Sequence, residues 1–136
     1  MRSITIPEGV KEIGNYCFSD CGNLQQVNLP EGLEKIGSSA FDNCQKLRHI
    51  NLPEGLKEIG SSAFDSTWNL SEIIIPESVK TIDKYAFAGW KASQTIKCKA
   101  TKAGDNWNKY WNYNNSYYNT AKISSNIIWG YQDDNT

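Results

Sequence analysis

All prolines and phenylalanines of this 136-residue chain recur at one spacing of 23 residues. The two sets are Pro7, Pro30, Pro53, Pro76 and Phe18, Phe41, Phe64, Phe87. A fixed period of roughly 20 to 50 residues is typical of a solenoid, in which each repeat buries its apolar side only by stacking on its neighbours. The period therefore predicts a stack of coils over residues 1–98, with four repeats that begin at the four prolines.

Equivalent places in each repeat stay apolar, which predicts that every coil points the same side chains inward. The columns are Val10, Leu33, Leu56, Val79; Ile13, Ile36, Ile59, Ile82; Leu24, Leu47, Leu70, Ser93; Val27, Ile50, Ile73, Ile96; and Leu29, Leu52, Ile75, Cys98. Ile4 and Ile6 fill the last two columns one period earlier. We therefore expect the chain to start on an incomplete coil, whose N-terminal edge pairs with upstream coils or with another chain.

Local chemistry predicts two short strands and one tight turn in each coil. The segments 49–52 and 72–75 alternate as a strand does, and the proline that follows ends the strand because it lacks a backbone N–H. A second short strand is expected at 56–59. The segment 61–65 begins with serine and predicts one helical or 3₁₀ turn. Parallel strands of successive coils should lie about 4.8 Å apart.

Composition argues against two classes of partner. The net charge is −1 and the signs are interspersed, so the chain offers no electrostatic footprint for nucleic acid or an anionic membrane. No apolar run approaches the roughly 18 residues that span a bilayer. The N-terminal segment also lacks the apolar stretch of a secretory signal. We expect neither nucleic-acid binding nor membrane insertion.

The four cysteines are predicted to be mainly buried free thiols. Cys17 stands in a column otherwise filled by alanine, and Cys98 stands in a column of leucine and isoleucine. Such places favour a thiol that acts as a small apolar side chain. Cys21 and Cys44 share a column on adjacent coils, so they are the one pair near enough for a disulfide.

The sequence offers little for catalysis or metal binding. His49 is the only histidine, so neither a His-based triad nor a His-rich zinc site can be assembled. Nucleophile-elbow, zincin, P-loop and dinucleotide motifs are all absent. Glu8, Glu31, Glu54 and Glu77 form one column, which we interpret as a solvated edge. We predict a protein that is not an enzyme and needs no cofactor.

The outward positions of the first strand in each coil are the candidate binding surface, because repeat proteins bind ligands on extended faces of this kind. Hydrogen-bonding side chains in a flat array suit a peptide or a glycan. The alternative is that they are only solvated strand positions. The predicted ligand-binding residues of this concave face are Gln26, Asn28, His49, Asn51, Glu72, Ile74, Thr95 and Lys97.

Charges on the second strand alternate from coil to coil. One column holds Lys11, Glu34 and Lys57, and the next holds Glu12, Lys35 and Glu58. Opposite charges across a strand spacing attract weakly. We expect these pairs to maintain the register of the coils and not to bind a ligand.

Read across the repeats, the pattern L-x-x-I-x-L-P-E-G-L-x-x-I-G-x-x-A-F-x-x-C over residues 4–98 resembles the BspA-type leucine-rich repeat of bacterial surface proteins. The resemblance implies a right-handed leucine-rich solenoid within a secreted or surface-anchored protein that binds host or matrix components. The chain departs from the general leucine-rich pattern at Gly32, Gly55 and Ser78, which stand where an asparagine or cysteine is usual. An asparagine ladder is therefore not expected.

Composition shifts after Cys98, because residues 99–136 contain half of the aromatic residues. They are Trp107, Tyr110, Trp111, Tyr113, Tyr117, Tyr118, Trp129 and Tyr131. The W-N-x-x-W-N frame followed by I-I-W-G-Y resembles the C-terminal segment that closes such repeats in gut-bacterial surface proteins. We predict a cap, in which amphipathic aromatics cover the last coil and 127–131 adds an edge strand.

The same tail admits a carbohydrate-binding interpretation, in which Trp107, Trp111 or Tyr113 stack on sugar rings. Our main prediction is a binding or adhesion module of a larger extracellular or cell-surface protein, with a protein or peptide ligand that could be a host or matrix component. The alternatives are a carbohydrate-binding module and a structural spacer.

Overall fold

The computed structural model describes residues 2–114 and 121–133 and shows a parallel β-solenoid. Within these residues the chain forms strands and turns and no helix. The predicted cap residues Tyr117 and Tyr118 lie outside the described residues. The strands are β1 (Ser3–Thr5), β2 (Glu12–Ile13), β3 (Gln26–Asn28), β4 (Lys35–Ile36), β5 (His49–Ile50), β6 (Glu58–Ile59), β7 (Glu72–Ile75), β8 (Thr81–Ile82), β9 (Thr95–Cys98) and β10 (Asn126–Trp129).

Two faces of the solenoid are built from these strands. The outward side chains of β1, β3, β5, β7, β9 and β10 form what we term the long-strand face, and those of β2, β4, β6 and β8 form the short-strand face. Each named strand that pairs with another does so in parallel, and within the repeats the pairs have the predicted phase, as Ile13 has with Ile36 and Ile59 with Ile82. The predicted solenoid of repeated coils is confirmed.

The phenylalanines lie in single file through the core. Successive ring centroids from Phe18 to Phe41, Phe64 and Phe87 are 5.5, 5.5 and 5.7 Å apart, and the ring planes lie within 11° of parallel. The last three rings are completely buried. Burial of each such ring stabilises the fold by about 1.5–3 kcal/mol.

The turn after each short strand is not helical, so the predicted helical or 3₁₀ turn at 61–65 is wrong. Ser39 and Asn43 in one coil, and Ser62 and Ser66 in the next, have φ angles of 55° to 61° in the left-handed region. A left-handed residue cannot continue a helix. Alternate N–H groups of the turn point instead toward the next coil and donate to its backbone carbonyls. The Phe64 N–H, for example, donates to the Ala86 carbonyl at 2.8 Å.

This turn ladder requires close approach of adjacent coils. A Cβ atom at Gly60 would lie 2.5 Å from the Ser38 nitrogen and 2.6 Å from the Gly37 carbonyl carbon. Real side chains essentially never approach backbone so closely, so Gly60 is needed for the stacking distance. Glycine at this place in the repeat therefore has a packing reason.

The fourth coil departs from the predicted columns. Ser93, placed by its spacing in a leucine column, is exposed, whereas the next residue, Gln94, is 1% exposed. The Gln94 amide donates to the Thr67 and Leu70 carbonyls at 2.9 and 2.8 Å. A buried amide is tolerated here because its polar atoms find partners, and the predicted inward position of Ser93 is wrong.

An aromatic cap covers the last coil. Trp90 and Trp111 meet the Phe87 ring edge-on, with centroids 5.2 and 6.1 Å away, and Trp107 lies 5.0 Å from Trp111. The edge strand predicted at 127–131 is confirmed as β10, Asn126–Trp129, which pairs with β9 in parallel and ends before Gly130. The Asn114 side-chain oxygen accepts the Gly89 N–H at 2.8 Å, where earlier coils use a backbone carbonyl.

All four cysteines lie within the described residues and are free thiols. Cys44 and Cys98 are buried, as predicted, and burial raises the pKa of each to about 12. The Cys44 thiol donates to the Phe18 carbonyl. Cys17 is exposed, so its predicted burial is wrong. The first coil has no preceding coil in the structure to cover that column.

Candidate functional site

The long-strand face is divided at its middle. Its strands form two three-stranded sheets, β1-β3-β5 and β7-β9-β10, and β5 does not pair with β7. The short-strand face is a continuous sheet in the order β2-β4-β6-β8. The coils that contain β5 and β7 are therefore joined along one face and separated along the other.

This separation opens a cleft of about 210 Å³. Ile50 and Ile73 are buried beside it, whereas Asn51 and Glu72 are exposed. Alternate backbone groups of a parallel strand point toward each neighbour, so the facing edges of β5 and β7 do not satisfy each other. The cleft is lined by Ile50, Asn51, Leu52, Glu54, Glu72, Ile73, Ile74, Lys99 and Asp133.

The predicted binding residues in the N-terminal half of this face are exposed. Gln26 donates its amide N–H to the Asn28 oxygen at 3.0 Å, and Asn28 donates to the Thr5 hydroxyl at 3.1 Å. Gln26 and Asn28 thus form a polar ladder with the first strand. His49 lies on β5, and Asn51 follows it and lines the cleft. The structure places these four predicted residues on one surface.

The predicted residues in the C-terminal half make charged and apolar contacts. Lys97 Nζ lies 2.5 Å from the Glu72 carboxylate and 4.8 Å from the centroid of the Tyr131 ring. Ile74 and Thr95 are half-buried. Glu72, Ile74, Thr95 and Lys97 therefore share the other half of the long-strand face.

Sequence reasoning missed Ile128 and Tyr131 as parts of this face. Ile128 is opposite Lys97 in the register of β9 and β10 and is 39% exposed. The 23-residue period does not predict its position. Asn126 pairs with Thr95, so the offset between β10 and β9 is 126 − 95 = 31 residues. The register of an edge strand at an irregular offset could not be read from the period.

Lys99 joins the C-terminal segment to an earlier coil at one end of the cleft. Its Nζ lies 2.5 Å from Glu54 Oε1 and 3.0 Å from Asp133 Oδ2. Both hydrogen bonds raise the pKa of Lys99, and the one with Glu54 has the larger effect. Glu54 belongs to the column predicted to be a solvated edge, and although its side chain is exposed it forms an ion pair.

The aromatic residues proposed to stack on sugars lie mainly in the cap. Trp107 and Trp111 are 8% and 5% exposed, and the Trp107 indole N–H donates to the Val79 carbonyl. Tyr113 is half-buried, with its ring centroid 5.0 Å from that of Tyr110. Burial of the two tryptophans leaves little of their ring surface for a sugar to stack on.

Trp68 is a further exposed aromatic residue that the sequence did not single out. Its ring is 40% exposed, and Lys91 Nζ lies 4.9 Å from the ring centroid. The available signal was a tryptophan in a column occupied by Gly22, Gln45 and Lys91 in the other coils. Trp68 does not line the cleft.

The short-strand face carries two larger openings, of about 430 and 440 Å³. Both are lined by Lys35, Glu58, Thr81 and Asn106. Two of the predicted ion pairs are confirmed on this face, with Lys35 3.9 Å from Glu58 and Lys57 3.3 Å from Glu34. These opposite charges neutralise one another, so the face does not select a ligand of one sign.

The chemistry of the titratable groups gives no support for catalysis. Burial raises the pKa of Asp65 to about 6, although the Ser66 hydroxyl hydrogen bond opposes the shift. Burial and the nearby Asp20 raise the pKa of Asp42. Over residues 2–114 and 121–133, no group of His, Cys, Asp and Glu side chains is arranged to hold a metal ion. The same residues include no helix long and apolar enough to cross a membrane.

Solved structures of several bacterial proteins have a similar fold. A leucine-rich repeat protein of T. pallidum is 32% identical with a TM-score of 0.66, over 70% of this chain and 44% of that one. One from Bacteroides ovatus is 32% identical with a TM-score of 0.63, over 71% and 31%. The pneumococcal vaccine antigen PcpA, 21% identical with a TM-score of 0.63, matches 97% of this chain and 42% of its own and is similar in fold alone.

This chain thus spans less than half the length of each of these proteins. Among curated proteins, no sequence match was found. The family profile described as "BspA type Leucine rich repeat region" matches residues 1–119 in six copies. With the coils, their register and this match together, the chain belongs to the BspA-type leucine-rich repeat family.

Proposed function

We propose that this chain is a non-catalytic binding module of a larger secreted or surface-anchored protein, and that it recognises a protein or peptide ligand on the long-strand face. The observation that carries the proposal is the cleft between β5 and β7, which interrupts that face beside the exposed side chains of His49 and Asn51. An extended ligand can use backbone groups at such an edge and place a side chain in the cleft.

The chemistry around the cleft favours a polypeptide over other ligands. Buried isoleucines lie beside exposed amide, imidazole and carboxylate groups, a mixture that suits an apolar side chain flanked by a polar backbone. Burial of Trp107 and Trp111 removes the main support for a glycan ligand. The similarity in fold to a pneumococcal vaccine antigen and the bacterial surface proteins of this repeat type support a location outside the cell.

Selection of a random-peptide display library against the full chain tests the proposal. Replacement of the cleft-border residues, His49→Ala together with Asn51→Ala, is expected to weaken the selected peptides at least tenfold. The matched control on the short-strand face is Glu12→Ala together with Lys80→Ala, which should change affinity less than twofold. Unfolding temperatures of both variants confirm that the fold is kept.

Two outcomes would contradict the proposal. Peptides lost on the short-strand variant but kept on the His49 and Asn51 variant would place the site on the other face. A library that yields no peptide with dissociation constant below the millimolar range would argue for a structural spacer.

A further inference from the structure

The C-terminal segment Tyr131–Asp133, which we term the strap, lies along the end of the long-strand face. The chain leaves β10 through Gly130, at φ +68°, and the Tyr131 N–H then donates to the Cys98 carbonyl at 2.9 Å. From there the strap reaches the cleft between β5 and β7, which Asp133 lines.

Two lysines of the face hold the strap. The Tyr131 ring lies under Lys97 Nζ at 4.8 Å, and the Asp133 carboxylate lies 3.0 Å from Lys99 Nζ. The lysines are two residues apart, and so are the tyrosine and the aspartate. The strap therefore matches the lysine pair in spacing as well as in chemistry.

The side-chain contacts that hold the strap contribute little stability. Its ion pair with Lys99 is partly exposed, because about half of the Asp133 side chain is accessible (53%) although that of Lys99 is mostly covered (19%). Solvent screens partly exposed ion pairs, so they contribute little. Lys97 and Lys99 also have acidic neighbours within the solenoid, Glu72 and Glu54. Release of the strap would therefore leave the lysine pair in place beside a cleft with buried isoleucines.

We propose that Lys97, Lys99 and the adjoining cleft form a docking site for an extended segment of a partner protein that carries an aromatic residue two positions before a carboxylate, and that the strap occupies this site within the free chain. The partner's ring takes the position of Tyr131 and its carboxylate that of Asp133. Its preceding or following side chain enters the cleft. This inference rests on the proposed function and names its ligand class.

The probe is a fluorescein-labelled Gly-Tyr-Gln-Asp peptide with an amidated C terminus, the sequence of residues 130–133, titrated by anisotropy. Full chain carrying Tyr131→Ala and Asp133→Ala has a released strap and should bind the peptide at least tenfold more tightly than the natural chain. Adding Lys99→Ala to that chain should remove the gain. Lys102→Ala, at an exposed lysine three residues further on, should leave it unchanged.

Equal affinity for the natural and strap-released chains would overturn the proposal, as would binding that survives Lys99→Ala. Asp133→Asn, which keeps the size of the side chain, should give a smaller gain in the same direction and guards against a folding defect in the double variant. A natural chain that dimerises by exchange of straps would also overturn it, because the occupant would then be a second copy.

This test separates the inference from the proposed function. Library peptides that depend on His49 and Asn51, together with a tetrapeptide indifferent to Lys99, would refute the docking site alone. A tetrapeptide that needs Lys99, together with library peptides indifferent to His49 and Asn51, would refute only the site assigned to the β5 side of the cleft.

Discussion

Phenylalanine is buried to different extents at the two ends of the solenoid. Phe18 in the first coil is half-buried and the adjacent Cys17 is exposed, whereas Phe87 in the last coil is completely buried. Phe18 has a neighbouring ring on one side, whereas Phe87 is covered by Phe64, Trp90 and Trp111. Burial in this fold is therefore a property of the interface between coils and not of a residue's place in the repeat.

The uncovered end also exposes Tyr16, which is 65% accessible, and leaves Ile4, Ile6 and Val10 half-buried. The cap removes this exposure at the other end with Trp107 and Trp111 of the C-terminal segment. Trp90 adds to the cover from a column that holds Cys21, Cys44 and Thr67 in the earlier coils. Pairing of the N-terminal edge with another coil or chain stays a prediction.

The largest effect on stability should come from the column of stacked phenylalanine rings. Phe64→Ala in the interior is expected to lower the free energy of unfolding by about 3–5 kcal/mol, because it leaves a cavity between two covered rings. Phe18→Ala should cost about 1–2 kcal/mol, since its ring is already partly hydrated. Urea unfolding of both variants measures the difference, and equal losses would break the contrast between interior and edge.

The cap should contribute almost as much. Trp111→Ala is expected to lower the free energy of unfolding by about 3 kcal/mol and to expose the Phe87 end of the core. Hydrogen exchange should then accelerate first in the coil around Phe87. Trp68→Ala, at an exposed tryptophan, is the control and should cost less than about 1 kcal/mol; a similar loss in both variants would argue against the cap.

A carboxylate within the stack should give a smaller, pH-dependent effect. Because the pKa of Asp65 is raised to about 6, the folded chain holds this proton at pH values where the unfolded chain has lost it, so stability falls as pH rises from about 4 to about 6. Asp65→Asn should add about 1 kcal/mol at pH 7, since solvent screening reduces the full linkage value.

That gain should disappear near pH 4, where the folded carboxyl is protonated. Thermal unfolding of the natural chain and the variant between pH 4 and 7.5 provides the measurement. Asp105→Asn, at an exposed carboxylate in the C-terminal segment, is the control. A gain that stays constant with pH would show that Asp65 titrates normally.

The smallest effect should come from the charge ladder of the short-strand face. Glu58→Ala removes the exposed pair with Lys35 and should cost no more than about 0.5 kcal/mol, and less at 1 M salt. Urea unfolding at two salt concentrations measures it. A loss comparable to that of Phe64→Ala would mean that charge, and not ring stacking, maintains the register.

Much of the fold could be predicted because each repeated residue constrains its equivalents. The Phe18–Phe87 file, the Ile13 column and the Lys35–Glu58 pairs follow from one period, and the aromatic tail indicated a cap. Ser62 gave no sign of a left-handed turn, because serine also begins helices. Burial of Gln94 could not be predicted either. It depends on carbonyl groups of the adjacent coil that accept the Gln94 amide hydrogens, and the sequence does not show that these groups lie nearby.

Only part of the candidate site could be predicted from the sequence. The outward rows containing His49 and Lys97 follow from strand alternation. The opening between β5 and β7 does not, because the residues on both sides repeat the pattern of paired coils. Lys99, Glu54 and Asp133 meet across 45 and 34 residues of sequence, distances that no period relates.

The central claim is that each coil is stabilised by its immediate neighbours, and a double-mutant cycle on the phenylalanine file tests it most directly. Phe41→Leu and Phe64→Leu, singly and together, should show a coupling of about 0.5–1.5 kcal/mol in urea unfolding, because their rings touch. Phe18→Leu and Phe64→Leu, two coils apart, should add within about 0.3–0.5 kcal/mol. Equal coupling for both pairs, or none for the adjacent pair, would contradict the account.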